Sequence, residues 1–362
     1  MDTLSLLPAF LCMVVVAFPA VLGAAEPIPG RLPPERTPQF VGIGFDDNYS
    51  PAGVDWVVDT LMELRNPPGT GNAATFDGAP VRATFFNNTD NGQPVRPGNE
   101  LGRSYVRAAA SGHEIGAHTR RHDTSAATLL ARWREEIGGC RQDLAALGLP
   151  LESIAGFRAP FLLTNRAAFV VLRELRFAYD CSLEHGFADR SDGTDLRWPY
   201  PLDHGSPDDP RIGPQPGLWE MPVYALTVPP RLRAAVQARL RDFDVTSGKI
   251  TGMDWNMVVA PELGGAGFTA EEYLETLKYS LNQRLRGNRA PLLFGAHSQF
   301  YSNRAVEAGI SPPNITLPEM RRALTQFIAY ALTKPDVRIV PYRSILAWSR
   351  HPVPLGPPPA AR

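Results

Sequence analysis

Short apolar runs that stop abruptly at polar residues recur along this chain. Phe40 to Phe45 ends in Asp46-Asp47-Asn48, Val81 to Phe86 in Asn87-Asn88, Glu114 to Ala117 in His118, Ile154 to Phe157 in Arg158, and Leu292 to Ala296 in His297. Runs of this length with polar boundaries suit strands buried on both faces. Between them lie stretches of helical periodicity: Asp55 to Leu64, Ser104 to Ala110, Ala126 to Leu147 and Asn165 to Leu175. Glu271 to Leu285 and Pro318 to Leu332 read as amphipathic outer helices. Strand and helix in alternation predict parallel pairing. Polar groups at the C-terminal ends of consecutive parallel strands are where a (β/α) barrel or an open α/β sheet keeps its site, and five such ends fit a barrel better. Residues 186–216, rich in Asp, Gly and Pro, read as a long surface excursion over one rim.

Composition narrows the class. The 362 residues, 44% hydrophobic, can build a substantial core in one large domain or two ordinary ones. Thirty-six basic residues against 37 acids leave a net charge of -1, so no electrostatic footprint for nucleic acid or an anionic membrane surface is present. Leu6 to Leu22 is apolar apart from Pro8 and Pro19 and leads into Gly23-Ala24-Ala25, the pattern of a signal peptide over residues 1–24, although Asp2 stands where a basic residue is expected. The expected mature protein is secreted or extracytoplasmic, and no other run is long enough to span a bilayer. Cys12 leaves with the signal, so Cys140 and Cys181 remain, either as a disulfide or as two buried thiols. The tail, 351–362, is expected to be loose.

The densest chemistry is Gly112 to His122, a β-type run opening into His118 and His122. One helical turn would put both imidazoles on one face. Two neutral imidazoles can hold one divalent cation with positions left open, which calls for an anionic third ligand, and Asp46-Asp47 is the obvious source. A His2Asp set with open positions suits zinc, cobalt, nickel or iron. His113 reads as structural; His185, His204 and His351 have no partner spacing. Asn48, Asn87 and Asn314 begin Asn-x-Ser/Thr sequons.

Taken together, Phe45-Asp46-Asp47, Ala83-Thr84-Phe85-Phe86, His118-Thr119-x-x-His122, Gly156-Phe157-Arg158-Ala159-Pro160-Phe161 and the late His297 resemble the polysaccharide deacetylase (NodB-homology) domain, carbohydrate esterase family 4. Tyr179-Asp180-Cys181-Ser182, Trp198-Pro199-Tyr200, Gly217-Leu218-Trp219-Glu220-Met221 and Asn288-Arg289-Ala290-Pro291 add similarity to its arthropod-type chitin deacetylase branch. The resemblance implies a distorted (β/α) barrel over residues 37–350. It implies that Asp47, His118 and His122 hold a divalent metal, zinc first among the candidates, and that Asp46 is the general base. Arg158 would pair with Asp46 and favour its ionised form, so that the base stays charged at neutral pH. The Phe161 N–H would serve the oxyanion and His297 would be the general acid. Trp219 would line the sugar groove, and either Glu220 or Asp254 would tune His297. Two positions depart from the family pattern: Asn48 replaces a common Gly, and Gly295 replaces a common Leu, with Phe294 and Phe300 as candidates to close that pocket.

The expected activity is therefore metal-dependent removal of N-acetyl groups from an N-acetylglucosamine-containing, chitin-like polysaccharide or oligosaccharide. Peptidoglycan deacetylation and O-acetylxylan esterase activity are the alternatives on the same site. A non-catalytic carbohydrate-binding protein is the alternative of another class.

Overall fold

The computed structural model describes residues 27–92, 94–123, 129–188 and 191–356. The expected signal segment and the end of the tail lie outside them, as does 124–128 ahead of the third helix. Strands form where the apolar runs are: β1 is Gln39–Asp46, β2 Thr84–Asn87, β3 Glu114–Ala117, β4 Gly156–Phe157 and β5 Tyr179–Asp180. These five pair in chain order, all parallel. The later strands are β6, Glu184–His185, β7, Tyr200–Pro201, β8, Trp219–Glu220, β9, Val223–Thr227, β10, Lys249–Thr251, β11, Leu292–His297, and β12, Val337–Ile339. The main sheet runs β11-β1-β2-β3-β4-β5-β8-β7, with β12 also on β1 and only β7 antiparallel. A smaller sheet, β10-β9-β6, spans the remaining arc. It is tied to β11 through Met253 opposite Gly295, where the Gly295 N–H donates to the Gly252 carbonyl at 2.7 Å. β5 leads into β6 through Cys181–Leu183, so the two sheets curl into a distorted barrel.

Parity on β1 separates two environments. Val41, Ile43 and Phe45 face the layer of outer helices, whereas Phe40, Gly42, Gly44 and Asp46 face the barrel interior. On β11 the same alternation sends Phe294 outward against Phe327 and turns Gly295 and His297 inward. The inward glycines make room: a Cβ on Gly42 would lie 2.6 Å from Tyr342, and one on Gly295 2.1 Å from the Met253 sulfur. Such contacts are far inside van der Waals range, so the interior is packed through these positions.

The helices begin where short polar side chains cap them. Ser50 caps α1, Pro51–Leu61, with Pro51 at the first position, and Asn99 caps α2, Glu100–Ala110. The third helical stretch runs from α3, Leu130–Trp133, through a π-turn at Arg134–Gly138 into α4, Gly139–Ala146. Asn165 caps α5, Arg166–Glu174; α6 is Pro230–Arg239 and α7 is Asp254–Val258. Capping boxes open α8, Ala270–Arg286, at Thr269 and Glu272, and α10, Leu317–Leu332, at Thr316 and Glu319; α9 is Arg304–Glu307. The last helix, α11, Tyr342–Arg350, inserts its first side chain into the barrel, where its N–H meets the Thr84 hydroxyl at 3.0 Å.

Two expectations change. The excursion 186–216 is not confined to the surface: Leu196, Trp198, Tyr200 and Leu202, alternating along the chain, are all buried, and Tyr200 begins edge strand β7. The tail also begins later than expected. Leu355 and Arg36 exchange hydrogen bonds at 2.8 Å, and Leu355 is buried, so 351–356 packs against the lead-in.

Candidate active site

The rim of the barrel gathers its polar groups through strand register. Asp46 and His297 end β1 and β11 as direct partners, and both side chains face inward. The chain then turns sharply, with Asp47 at φ 63° and Asn48 at φ 55°. Asp and Asn tolerate this left-handed region better than most residues. Asn48 also fastens the turn, its Nδ2 lying 2.7 Å from the Phe45 carbonyl, 3.0 Å from that of Phe86 and 3.0 Å from Asn87 Oδ1. A regular strand would send neighbouring carboxylates to opposite faces; the bend brings Asp46 and Asp47 to the same rim.

His118 follows β3 directly, but the route to His122 is a loop and not the helical turn expected. Thr119 at φ 64° and His122 at φ 58° break the helix, and the two rings still converge to 5.1 Å between centroids. Glu136, buried at the π-turn, holds the loop: its Oε2 accepts from the N–H groups of Arg120 (3.0 Å) and Arg121 (2.8 Å), and its Oε1 from the Arg121 guanidinium. Asp143 clamps Arg120 in a bidentate pair at 2.8 and 2.9 Å. π-turns inside helices often mark functional positions, and this one aims Glu136 at the loop of the second histidine. Sequence reading missed both acids, since each looks like an ordinary helix-surface charge.

Asp47 Oδ1 lies 3.6 Å from His118 Nε2 and 3.3 Å from His122 Nε2, and it is buried without a hydrogen-bond partner. Donor atoms of Asp47, His118 and His122 all fall within 4.8 Å of one another. His118 Nδ1 faces the Arg158 carbonyl at 2.8 Å, which assigns the proton to Nδ1 and leaves the Nε2 lone pair toward Asp47. Burial, with His122 beside it, pushes the His118 pKa down to about 3, so the ring is neutral as a ligand must be. An orphaned carboxylate oxygen facing two imidazole rings fits a divalent cation, and nothing in the donor set excludes zinc, cobalt, nickel or iron.

Two buried pairs flank this cluster. Arg158 donates Nη1 to Asp46 Oδ1 at 2.9 Å, Nε to the Cys181 carbonyl at 3.0 Å, and Nη2 to the Cys181 sulfur at 2.9 Å and the Tyr342 hydroxyl at 3.2 Å. Its guanidinium also lies over the Phe86 ring. Burial raises the Asp46 pKa above the ordinary carboxylate value, and Arg158 opposes the rise without cancelling it. Arg158 therefore favours the ionised form of Asp46, while desolvation, the larger influence, works against it. The second pair is His297 with Asp254, where Nδ1 meets Oδ1 at 2.6 Å and the His297 N–H donates to Oδ2 at 2.8 Å. Burial lowers the imidazole pKa, but Asp254, joined by Asp47 and Asp46, raises it, and the result is about 9. His297 Nε2 is 3.9 Å from Asp47 Oδ2, so acid, base and ligand set surround one small space.

The remaining candidates divide. Of the two acids open for His297, Asp254 makes the contact; Glu220 is buried beside Asp180 and accepts from the Leu183 N–H at 3.1 Å. Phe161 stands at the rim at φ 55°, two-thirds exposed (67%), its ring edge-on to His122 with centroids 4.5 Å apart. Trp219 does not join the site. It pairs with Tyr179, a step toward the strand starts, and lies under the Arg350 guanidinium at 5.2 Å. The indole that does reach the site is Trp255, whose ring centroid is 5.7 Å from that of His297 and 6.0 Å from that of Phe300. Its signal in the sequence is an acid followed at once by Trp at a helix start. Phe294 faces the outer layer, so Met253 fills the space over Gly295 and Phe300 lies against His297. Cys140 and Cys181 are free thiols in different clusters, one among the outer helices and one in the interior. Asn48 and Asn87 are buried and unavailable to glycosylation, whereas Asn314 is exposed.

The polysaccharide deacetylase family model matches residues 34–179. Chitin deacetylase 8 of Bombyx mori is 27% identical over 346 residues, covering 91% of this chain and 74% of the relative. Chitin deacetylase 1 of the same organism is 22% identical and is covered over 53% of its length. A crystal structure described as a polysaccharide deacetylase from Mycobacterium smegmatis superposes with a TM-score of 0.55 at 20% identity, over 93% of this chain and 98% of that one, which supports the fold. Among the described residues no helix is long and apolar enough to cross a membrane. Residues 34–179 thus match the polysaccharide deacetylase family, and the chain is similar over most of its length to two chitin deacetylases and shares the curled (β/α) fold.

Proposed function

We propose that the protein is a secreted, divalent-metal-dependent deacetylase that hydrolyses N-acetyl groups of a chitin-like polysaccharide, with residues 37–350 as its catalytic domain and zinc as the favoured metal. The observation that carries the reading is the convergence of Asp47, His118 and His122 between the Asp46–Arg158 and His297–Asp254 pairs. Amide hydrolysis needs an activated water, a polarised carbonyl, an oxyanion donor and an acid for the departing nitrogen. Asp47, His118 and His122 would hold a divalent ion, whose Lewis acidity would act on the carbonyl and the water. Asp46 takes the proton of the attacking water, and its raised pKa makes it a stronger base than an exposed carboxylate. Arg158 fixes the orientation of Asp46 and neutralises its charge in the resting state. The Phe161 N–H donates to the developing oxyanion, a contact that costs no reorganisation because the loop is already in place. His297 enters the reaction protonated, as its pKa near 9 implies, and gives the proton from Nε2 to the leaving amine while Asp254 steadies the ring.

No member of the set is missing, which weighs against a non-catalytic binding protein on this barrel. Acetate release from chitin oligomers, peptidoglycan and acetylxylan tests the substrate. Preferential release from chitin oligomers supports the reading; release from acetylxylan alone makes the protein an O-acetyl esterase, and release from peptidoglycan alone moves the substrate to cell-wall glycan.

A further inference from the structure

Beside the Phe161 turn lies a concavity that the chemistry above does not use. It has a volume of about 330 Å³ and is lined by residues 162–164, residues 182–184, and Asp208, Asp209 and Arg211 from the excursion. This volume is within the range of small-molecule sites, about 300–1,000 Å³. Residues 162–164 follow β4 and residues 182–184 follow β5, so the cavity opens on the same rim as the candidate catalytic groups. One wall is apolar, formed by Leu162, Leu163 and Leu183.

The polar side is built and largely spoken for. Asp208 is held by His185 Nδ1 at 2.9 Å and by the Tyr200 hydroxyl at 3.0 Å, and His185 Nε2 in turn accepts from the Arg197 N–H at 3.1 Å. Asp209 is clamped by Arg211 at 2.9 and 2.7 Å. Glu184 differs. It is exposed at the cavity mouth, its Oε1 accepts from the Thr251 hydroxyl at 2.7 Å, and among the described residues it forms no ion pair. The cavity thus offers an apolar wall for the C–H face of a sugar ring, fixed acceptors for its hydroxyls and, at Glu184, a carboxylate that pairs with no cation among the described residues.

We infer that this cavity is a saccharide subsite for a hexosamine unit whose amine is already free, recognised as an ammonium by Glu184 with its ring against Leu162 and Leu163. The inference rests on the proposed deacetylase reading and extends it: a chain that has lost an acetyl group is held for the next reaction by the amine that reaction released. The enzyme then favours partly deacetylated chains over fully acetylated ones.

The test uses the full metal-loaded protein and two trisaccharides without acetyl groups, so that no turnover intervenes. Glucosamine trimer and cellotriose, which carries hydroxyls in place of the amines, are titrated calorimetrically at about pH 6 and low salt, where exposed charge pairs are least screened. Wild type is expected to bind the glucosamine trimer at least about 5-fold more tightly. Glu184→Gln is expected to erase that preference, and Leu163→Ser to weaken both ligands. Equal affinities in wild type, or a preference that survives Glu184→Gln, overturn the inference; so does unchanged binding of both ligands to a folded Leu163→Ser. None of these outcomes touches acetate release, which tests the deacetylase reading separately.

Discussion

Asp254 holds His297 by two hydrogen bonds at once, accepting from the ring N–H at 2.6 Å and from the backbone N–H at 2.8 Å. The first sets which ring nitrogen faces the reaction space, and the second fixes the strand end that carries the ring. Burial lowers the pKa of this imidazole, and Asp254, with smaller help from Asp47 and Asp46, reverses that outcome and brings it to about 9. Asp254→Asn should keep the ring oriented but remove the charge. The alkaline limb of the pH–rate profile on an amide substrate should then move to lower pH by at least about one unit. An unmoved limb would mean that Asp254 does not control the proton on His297.

Asp46 and Asp47 are neighbours in sequence with different tasks in the proposed reaction. Asp46→Asn should retain metal and lose on the order of 10²- to 10⁴-fold in rate, whereas Asp47→Asn should lose metal affinity itself. Metal content measured beside rate separates the two. A metal-free Asp46→Asn beside a metal-replete Asp47→Asn would show the carboxylates reversed.

Glu136 touches neither metal nor substrate, yet three donors of the 120–121 segment converge on it. Glu136→Gln should loosen the loop that presents His122 and weaken metal affinity roughly 10- to 100-fold, the usual scale for groups that support ligands from behind. Competition with a chelator of known affinity reads this directly. Unchanged affinity in a folded variant would contradict the role.

His113 should make stability pH-dependent. It is buried at the start of β3, its Nδ1 accepts the Ala83 N–H at 3.0 Å, and burial, with Arg82 nearby, lowers its pKa to about 3. The unfolded chain has a His pKa near 6.5, so between about pH 6.5 and 3 the unfolded state binds the extra proton and stability falls as pH falls, by up to about 1.4 kcal/mol per unit. Urea unfolding from about pH 6 to pH 4 should therefore show a shallower dependence in His113→Gln. Equal slopes would assign the acid sensitivity elsewhere.

The strands and their polar ends were legible because burial on both faces of a parallel sheet leaves unbroken apolar runs, and the parallel arrangement then carries those ends to one rim. What the sequence left hidden was mostly conformational. A spacing of four between His118 and His122 is the same in a helix and in a loop, and only the left-handed Thr119 and His122 decide between them. Trp219 and Trp255 have the same composition value, and a two-residue strand gives too little periodicity to show that Trp219 sits a step below the rim. The excursion misled by its glycines and prolines, although the alternation of Leu196, Trp198, Tyr200 and Leu202 already had the period of a buried strand edge. Glu136 reaches its loop through a π-turn, which no spacing announces.

The proposed reaction is a metal-assisted amide hydrolysis, so the most direct measurement is acetate release from a chitin oligomer by the purified protein before and after chelation, with the divalent ion then restored. Wild type is expected to release acetate, to lose that activity on chelation and to regain it with zinc or another divalent ion of the same class, and His122→Ala is expected to show neither bound metal nor release. Release that persists undiminished after complete metal removal would contradict the proposed reaction.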